Sequence, residues 1–247
     1  MMIKRDILSN ENETSPRYLN LEDCGDYLVL DGLAQDIDTV VIPRELNGKP
    51  IKVIKKFAFS FCECLKSIVI PENVKYIGNS AFEYCRSIEF LSIPEGVTMI
   101  DEKAFKDCWE LKYIKIPGTV HFIEEYAFSN CTNLRSVDLP KDLSKLASGA
   151  FCNSGLVAIT IPDNIYTINS EVFKDCVRLV GVKFGKNTSG ILPQAFANCT
   201  NLGSVILPDG LSYISYSSFM NCKNLKTVIY PENYPEENIL DIEALTH

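Results

Sequence analysis

Histidine and tryptophan are almost missing from this chain: 247 residues carry two His, one Trp and four Met. The two histidines, His121 and His247, are far apart in sequence, and general acid–base chemistry built on imidazole has little to draw on. His121 follows Pro117 in a corner and reads as a solvated residue. Basic charge is also short. Lys and Arg number 24 against 32 Asp and Glu, a formal net charge of -8. Nucleic-acid binding needs clustered cations to displace counterions, so that partner is not expected, and an anionic membrane surface is disfavoured for the same reason. No apolar run approaches the roughly 18 residues a spanning helix requires, so membrane insertion is not expected. The first residues carry two basic side chains, Lys4 and Arg5, with no apolar stretch behind them, unlike a secretory signal. No Gly-x-Gly-x-x-Gly, phosphate loop or nucleophile elbow is present. The acidic pairs Asp101-Glu102 and Glu124-Glu125 recur with the repeat described below and are expected to face water. No catalytic residue, metal or cofactor is predicted, and the chain is not expected to be an enzyme.

What is abundant is periodic. Phenylalanine recurs at Phe59, Phe82, Phe105, Phe128, Phe151, Phe173, Phe196 and Phe219, in steps of 23 residues except one of 22 after Phe151. A period this short and regular marks a solenoid, each repeat being one rung of a stack. Other positions travel with it. Three residues on stands cysteine, at 62, 85, 108, 131, 176, 199 and 222. Six residues on stands an aliphatic anchor such as Leu65, Ile88 or Leu111, which comes one residue early at Leu156. Two apolar residues separated by one then precede proline, as Ile68 and Ile70 before Pro71. That alternation is the period of a half-buried strand, and proline ends it. A second apolar pair follows, as Val74/Ile77, Val97/Ile100 and Val120/Ile123, before a small residue returns the chain to phenylalanine.

All these apolar residues point inward together only if each rung is a flattened coil about a narrow core. Stacked parallel strands lie about 4.8 Å apart, so nine of them predict an array roughly 40 Å long. The predicted divisions are a flexible segment over 1–20, a cap and first rung over 21–64, the repeat array over 65–231 and a C-terminal cap over 232–247. Within the last, Ile239, Leu240, Ile242 and Leu245 form the apolar side of a predicted helix over 238–245, closing an end that would otherwise expose core and strand edge. In the rung from Val182 to Ala195, Gly185 replaces the corner proline and Thr188 an apolar residue, which predicts a looser or bent corner.

The motif Leu-x-x-Ile/Val-x-Ile/Leu-Pro with a following Ile-x-x-x-Ala-Phe-x-x-Cys resembles the BspA-like (Treponema-type) leucine-rich repeat family. Tyr27–Leu30, Val40–Pro43 and the Leu46–Pro50 connection are similar to that family's first rung, and the resemblance spans about residues 27 to 231. It implies a right-handed solenoid with a parallel sheet on one face and a role in binding proteins, often at a cell surface. It carries no catalytic residues.

Ten cysteines do not imply disulfides here. Seven share one slot in stacked rungs, with Cβ atoms about one strand spacing, 4.8 Å, apart, outside the usual range of about 3.5 to 4.5 Å. They are expected to act as small buried hydrophobes. Cys24, Cys64 and Cys152 lie outside the column, and Cys62-Glu63-Cys64 is too tight for a zinc clamp. Reduced thiols fit a cytoplasmic or anaerobic setting, whereas the family resemblance points to the surface or secretion. Of the Asn-x-Thr/Ser sequons at Asn12, Asn130, Asn187 and Asn198, those at Asn130 and Asn198 fall in the repeating turn, where a polar residue satisfying backbone groups is the expected role.

Strand geometry also picks out the outer surface. Phe90 and Tyr113 are predicted neighbours on the sheet face, ringed by Glu89, Lys112, Lys115, Arg135 and Asp138, an arrangement like the centre of a protein interface. Cross-strand stacking that merely stabilises the sheet is the alternative. Phe61, Tyr84 and Trp109 form a second predicted patch on the turn edge. Later rungs, with Val157, Ala158, Val180 and Gly181, present a flat face of small residues. The predicted function is a non-catalytic protein-interaction module that binds a protein partner through the exposed face of its parallel sheet, a host or cell-surface protein being the candidate class. The alternative is a structural or self-assembling repeat protein using that flat face or the solenoid ends for homotypic association.

Overall fold

Inward-facing apolar residues at fixed offsets force every rung to the same path, and the computed structural model, which describes residues 13–236, 239, 240 and 243, follows it through about nine turns. The eight phenylalanines are at most 1% exposed. Their rings form one continuous stack, with successive centroids 5.0–5.4 Å apart except for 6.0 Å between Phe151 and Phe173. The wider step falls at the one repeat shortened by a residue. Each buried ring or aliphatic anchor is worth roughly 1.5–3 kcal/mol of transfer free energy, and no rung encloses its own side chains without neighbours.

Short parallel ladders run along two sides of the coil, not one. On the first, Thr39–Val41 pairs with Ser67–Val69, Phe90–Ser92 with Tyr113–Lys115, Ala158–Thr160 with Gly181–Lys183, and Ser204–Ile206 with Thr227–Ile229. The expected nine-strand sheet is therefore divided into two-stranded units. The segment 136–138, predicted as a strand, forms none; only its approach is tied, by Val157 N–H donating to the Arg135 carbonyl at 3.0 Å. Its neighbour is the shortened rung, drawn in at Gly155, whose N–H bonds the Cys131 carbonyl at 3.0 Å. A Cβ on Gly155 would lie 2.2 Å from the Thr132 carbonyl oxygen, so only glycine fits there. On the second side, Tyr76–Ile77 pairs with Lys49–Ile54, Met99–Ile100, Phe122–Ile123 and Lys145–Leu146 join, and Thr167–Ile168, Gly190–Ile191 and Tyr213–Ile214 join.

The phenylalanine turns make a third run of bonds. Each phenylalanine N–H donates to the carbonyl one residue before the next phenylalanine, as Phe59 to Ala81, at 2.8–2.9 Å throughout. Two residues on, a second N–H does the same, as Phe61 to Glu83, at 2.7–2.9 Å. This geometry requires left-handed backbone on both sides of the ring. Residues two before it (Phe57, Ser80, Lys103, Tyr126, Gly149, Glu171, Gln194) and two after it (Phe61, Tyr84, Asp107, Asn130, Asn153, Asp175, Asn198, Asn221) have φ of 53° to 65°. Asn and Asp tolerate that region best after glycine, and they hold the second column from the third rung onward. Their side chains also bond between rungs: Asn130 Nδ2 donates to Asp107 Oδ1 at 2.8 Å and Asn153 Nδ2 to Asn130 Oδ1 at 2.9 Å, and Asn198 and Asn221 repeat the pattern above Asp175. The two sequon asparagines in the turns thus have their amides engaged within the solenoid.

All ten cysteines are free. Those of the column are more than small hydrophobes. Each Sγ from Cys85 onward donates to the phenylalanine carbonyl of the preceding rung, as Cys85 to Phe59 at 3.0 Å and Cys222 to Phe196 at 3.1 Å. Where the fifth rung lacks the cysteine, Ser154 takes the slot, 3.2 Å from Cys176 Sγ.

Two expectations change at the corners and ends. The corner at Gly185 is tight rather than loose: a Cβ there would lie 2.4 Å from the Pro162 carbonyl oxygen, and buried Thr188 donates its hydroxyl to the Ile165 carbonyl at 2.9 Å. The N-terminal segment expected to hang free through residue 20 is engaged earlier, because Leu19–Asp23 pairs antiparallel with Leu28–Leu33 and Leu19 is buried. Leu28–Leu33 in turn pairs with Lys49–Ile54 and caps the second ladder. Residues 1–12 and most of the helix predicted over 238–245 lie outside the described residues. Nearer the end, Tyr234 is buried with its ring 5.0 Å from that of Tyr230, whose hydroxyl donates to the Leu240 carbonyl at 3.2 Å.

Candidate interaction surfaces

Ladder register places Tyr113 beside Phe90. Both side chains leave the core because Leu91 and Ile114, next to them in sequence, take the inward positions. Phe90 is 59% and Tyr113 41% exposed. Beside them Lys112 Nζ sits 2.7 Å from Glu89 Oε2. Lys115 is exposed at the end of the Tyr113 strand, and Arg135 and Asp138 are exposed on the unladdered rung next to it. The seven residues singled out on this face thus span three successive rungs, two hydrogen-bonded as a ladder and one held more loosely.

Phe61, Tyr84 and Trp109 also come together, through a residue the sequence reading passed over. The Phe61 and Tyr84 rings stack at 4.6 Å. The Arg86 guanidinium lies 4.3 Å from the Trp109 ring and 5.6 Å from the Tyr84 ring, and its Nη1 is 3.0 Å from Glu63 Oε1. Trp109 Nε1 donates to Asp107 Oδ1 at 3.3 Å, which ties the indole to the Asp–Asn ladder. This edge is an ordered alternation of rings and cations, with individual contacts worth about 0.5–2 kcal/mol.

A third exposed stripe lies on the second ladder, where no site was expected. Tyr76, Met99 and Phe122 occupy aligned positions there, Tyr76 and Phe122 being exposed. Its signal was a large apolar residue just before the inward isoleucine of the second apolar pair. Beside it, Tyr76 donates its hydroxyl to Asp101 Oδ2 at 2.6 Å, which, chiefly through that bond, pushes the phenol pKa up to about 12. Glu124 is paired with Lys145 at 2.7 Å. His121 Nδ1 lies 3.1 Å from the Asp142 carbonyl oxygen. On the later rungs two clefts of about 630 and 580 Å³ adjoin, sharing Asp163, Lys183 and Phe184, one opening beside the unladdered segment 136–138.

The BspA type leucine-rich repeat region matches residues 52–180 and 144–239, in six copies. The chain belongs to that family. Among solved structures, a Treponema pallidum leucine-rich repeat protein is similar, with 25% identity and a TM-score of 0.72 over 77% of this chain and 91% of its own. A leucine-rich repeat protein from Eubacterium ventriosum is similar over 80% of this chain and 56% of its own, with 23% identity and a TM-score of 0.62. No curated protein matches the chain.

As a BspA-type repeat protein, the chain has a fold that generally serves protein interaction or scaffolding. Among its described residues no helix is long and apolar enough to cross a membrane. The cysteine column offers little reactivity. Burial pushes the Cys176 thiol up to about 12 and raises those of Cys85, Cys108 and Cys131. A thiolate is the reactive form, so these residues stay protonated at neutral pH.

Proposed function

We propose that this BspA-type solenoid is a non-catalytic module that binds a protein partner through the outer face of its first ladder, centred on Phe90 and Tyr113. The observation that carries the proposal is the paired exposure of those two rings in ladder register beside the Lys112–Glu89 ion pair. Large aromatic side chains rimmed by charge are the residues that dominate protein interfaces, and Lys115, Arg135 and Asp138 supply the rest of the rim. Display at a cell surface belongs to the same proposal and rests on the family resemblance. The test is retention of partners from host-cell and extracellular-matrix extract by the wild type beside the Phe90→Ala/Tyr113→Ala variant, both checked as folded. A partner held by the first and lost by the second supports the proposal; equal retention by both removes the site.

A second reading is favoured by the exposed aliphatic residues of the later rungs, Val180 at 52%, Ile206 at 67% and Ile229 at 50%. They form the face a second copy would cover in a self-assembling protein. A rise of particle mass with concentration, abolished by Ala158→Lys/Gly181→Lys, supports that reading.

A further inference from the structure

The phenylalanine turns are stacked like the ladders, but their stack begins one rung late. Between Leu28–Leu33 and Thr39–Val41 the chain crosses directly, without a turn of the kind that every later rung makes. Two groups of the first turn are therefore left open, the Ser60 carbonyl and the outer face of Phe61. From the second rung on, the carbonyl before each phenylalanine and the carbonyl after it each accept an N–H from the preceding turn, as Ala81 does from Phe59 and Glu83 from Phe61. Of their equivalents in the first turn, the Ala58 carbonyl packs against Gly32, where a Cβ would lie 2.8 Å from its oxygen, and the Ser60 carbonyl receives no such bond among the described residues. The Phe61 ring is stacked by Tyr84 on one face only and is 63% exposed.

These groups border a cleft of about 430 Å³ whose other walls include Asn20, Asp31, Gln35 and Asp36. Asp31 is partly neutralised by Lys55 at 3.2 Å, while Asp36 is exposed and has no ion pair among the described residues. The Ser60 hydroxyl is buried without a hydrogen-bond partner among the described residues. The cleft thus presents the Ser60 carbonyl and carboxylate acceptors beside an exposed aromatic face, with negative charge in excess.

We infer that this N-terminal cleft binds the guanidinium group of an arginine side chain from a partner protein. A guanidinium is planar, permanently cationic and has five N–H donors in a fixed fork. Stacked on the open face of Phe61, it would extend the Phe61–Tyr84 stack by one layer, where an earlier turn would have stood. Its N–H groups then meet the Ser60 carbonyl and the Asp36 carboxylate. The chain already makes such a contact internally, where Arg86 lies over Trp109. An ammonium carries the charge but neither the plane nor the fork, so lysine is a weaker ligand. The inference does not rest on the Phe90–Tyr113 face.

The test is titration of the ¹⁵N-labelled full chain with acetyl-Gly-Arg-Gly-amide, followed by amide chemical shifts, with the lysine and citrulline peptides in parallel. The expected result is saturable shifts at residues 31–36 and 58–62, with the arginine peptide binding at least about fivefold more tightly than the lysine peptide and citrulline, which lacks the charge, weakest. Phe61→Asn keeps the left-handed backbone, since asparagine holds this turn position at 130, 153, 198 and 221, and should weaken binding about fivefold to tenfold. Asp36→Asn should weaken it and flatten its salt dependence. Phe90→Ala/Tyr113→Ala should leave it unchanged, which separates this site from the sheet-face proposal. Absence of saturable shifts, equal affinity for arginine and citrulline peptides, or wild-type affinity in a folded Phe61→Asn variant would each overturn the inference.

Discussion

The second and third rungs and the fifth to eighth share one core and differ on the outside. Inside, each contributes the same ring to the stack and the same anchor to the wall, and all but the fifth, where Ser154 stands in, add the same thiol donating to the rung before. On the face of the first ladder the early rungs display Phe90 and Tyr113 while the later ones display Val157, Val180, Ile206 and Ile229; the second side exposes rings in both, Tyr76 and Phe122 early, Tyr166 and Tyr213 late. Stacking constrains only the inward positions, because each must match its neighbour on both sides. Outward positions meet solvent and are free to diverge. The surface therefore differs from rung to rung, while the sameness of the core supports the geometry that holds it.

The sharpest test of the shared core is its response to alkali. Burial holds the thiols of Cys85, Cys108 and Cys131 above the ordinary value of about 8.5, with Cys176 at about 12. The folded state thus keeps its protons where the unfolded chain loses them. Stability from this source is complete below about pH 8 and declines as pH rises through 9 and beyond, on the order of 1 kcal/mol per buried thiol by pH 10. Urea unfolding at pH 7 and pH 10 measures it, and Cys85→Ala and Cys176→Ala should each reduce the decline equally. An early or late bias would show that the two halves do not share one core.

Truncating the stack comes next. Phe128→Ala, with rings on both sides, should cost about 3–5 kcal/mol, and Phe219→Ala, stacked on one side only, about 1 kcal/mol less; urea midpoints decide. The glycines sharpen the same contrast between tight and open positions. Gly155→Ala meets the Thr132 carbonyl and should cost at least about 2 kcal/mol, whereas Gly181→Ala, with open space around it, should stay within about 0.5 kcal/mol. The aromatic face itself should also respond weakly. Phe90→Ala/Tyr113→Ala should change stability by under about 1 kcal/mol, and a larger loss in thermal melts would assign the pair to sheet packing.

Much of this was legible in the residues. The phenylalanine interval gave the rung, the alternation before proline gave the first ladder, and the pair after it gave the second segment. Phe90 and Tyr113 fell where counting placed them. Other features were visible but unread. Asn or Asp recurs two residues after phenylalanine from Asp107 on, a pattern that signals left-handed backbone once the turn is known. Arg86 lacked any such signal: its place between Tyr84 and Trp109 depends on how far its side chain reaches between rungs. The unladdered segment at 136–138 has strand-like alternation of its own and loses its pairing beside a shortened neighbour.

Sequence alone determined the period, the inward residues and the free thiols, because each follows from local spacing repeated along a stack. Only the tertiary structure decided where the repetition fails. The first turn has no predecessor, the sheet divides into pairs, and the glycine corner closes instead of opening. Each depends on whether a neighbouring rung supplies a partner for a backbone group, and that is a property of two rungs together rather than of either sequence.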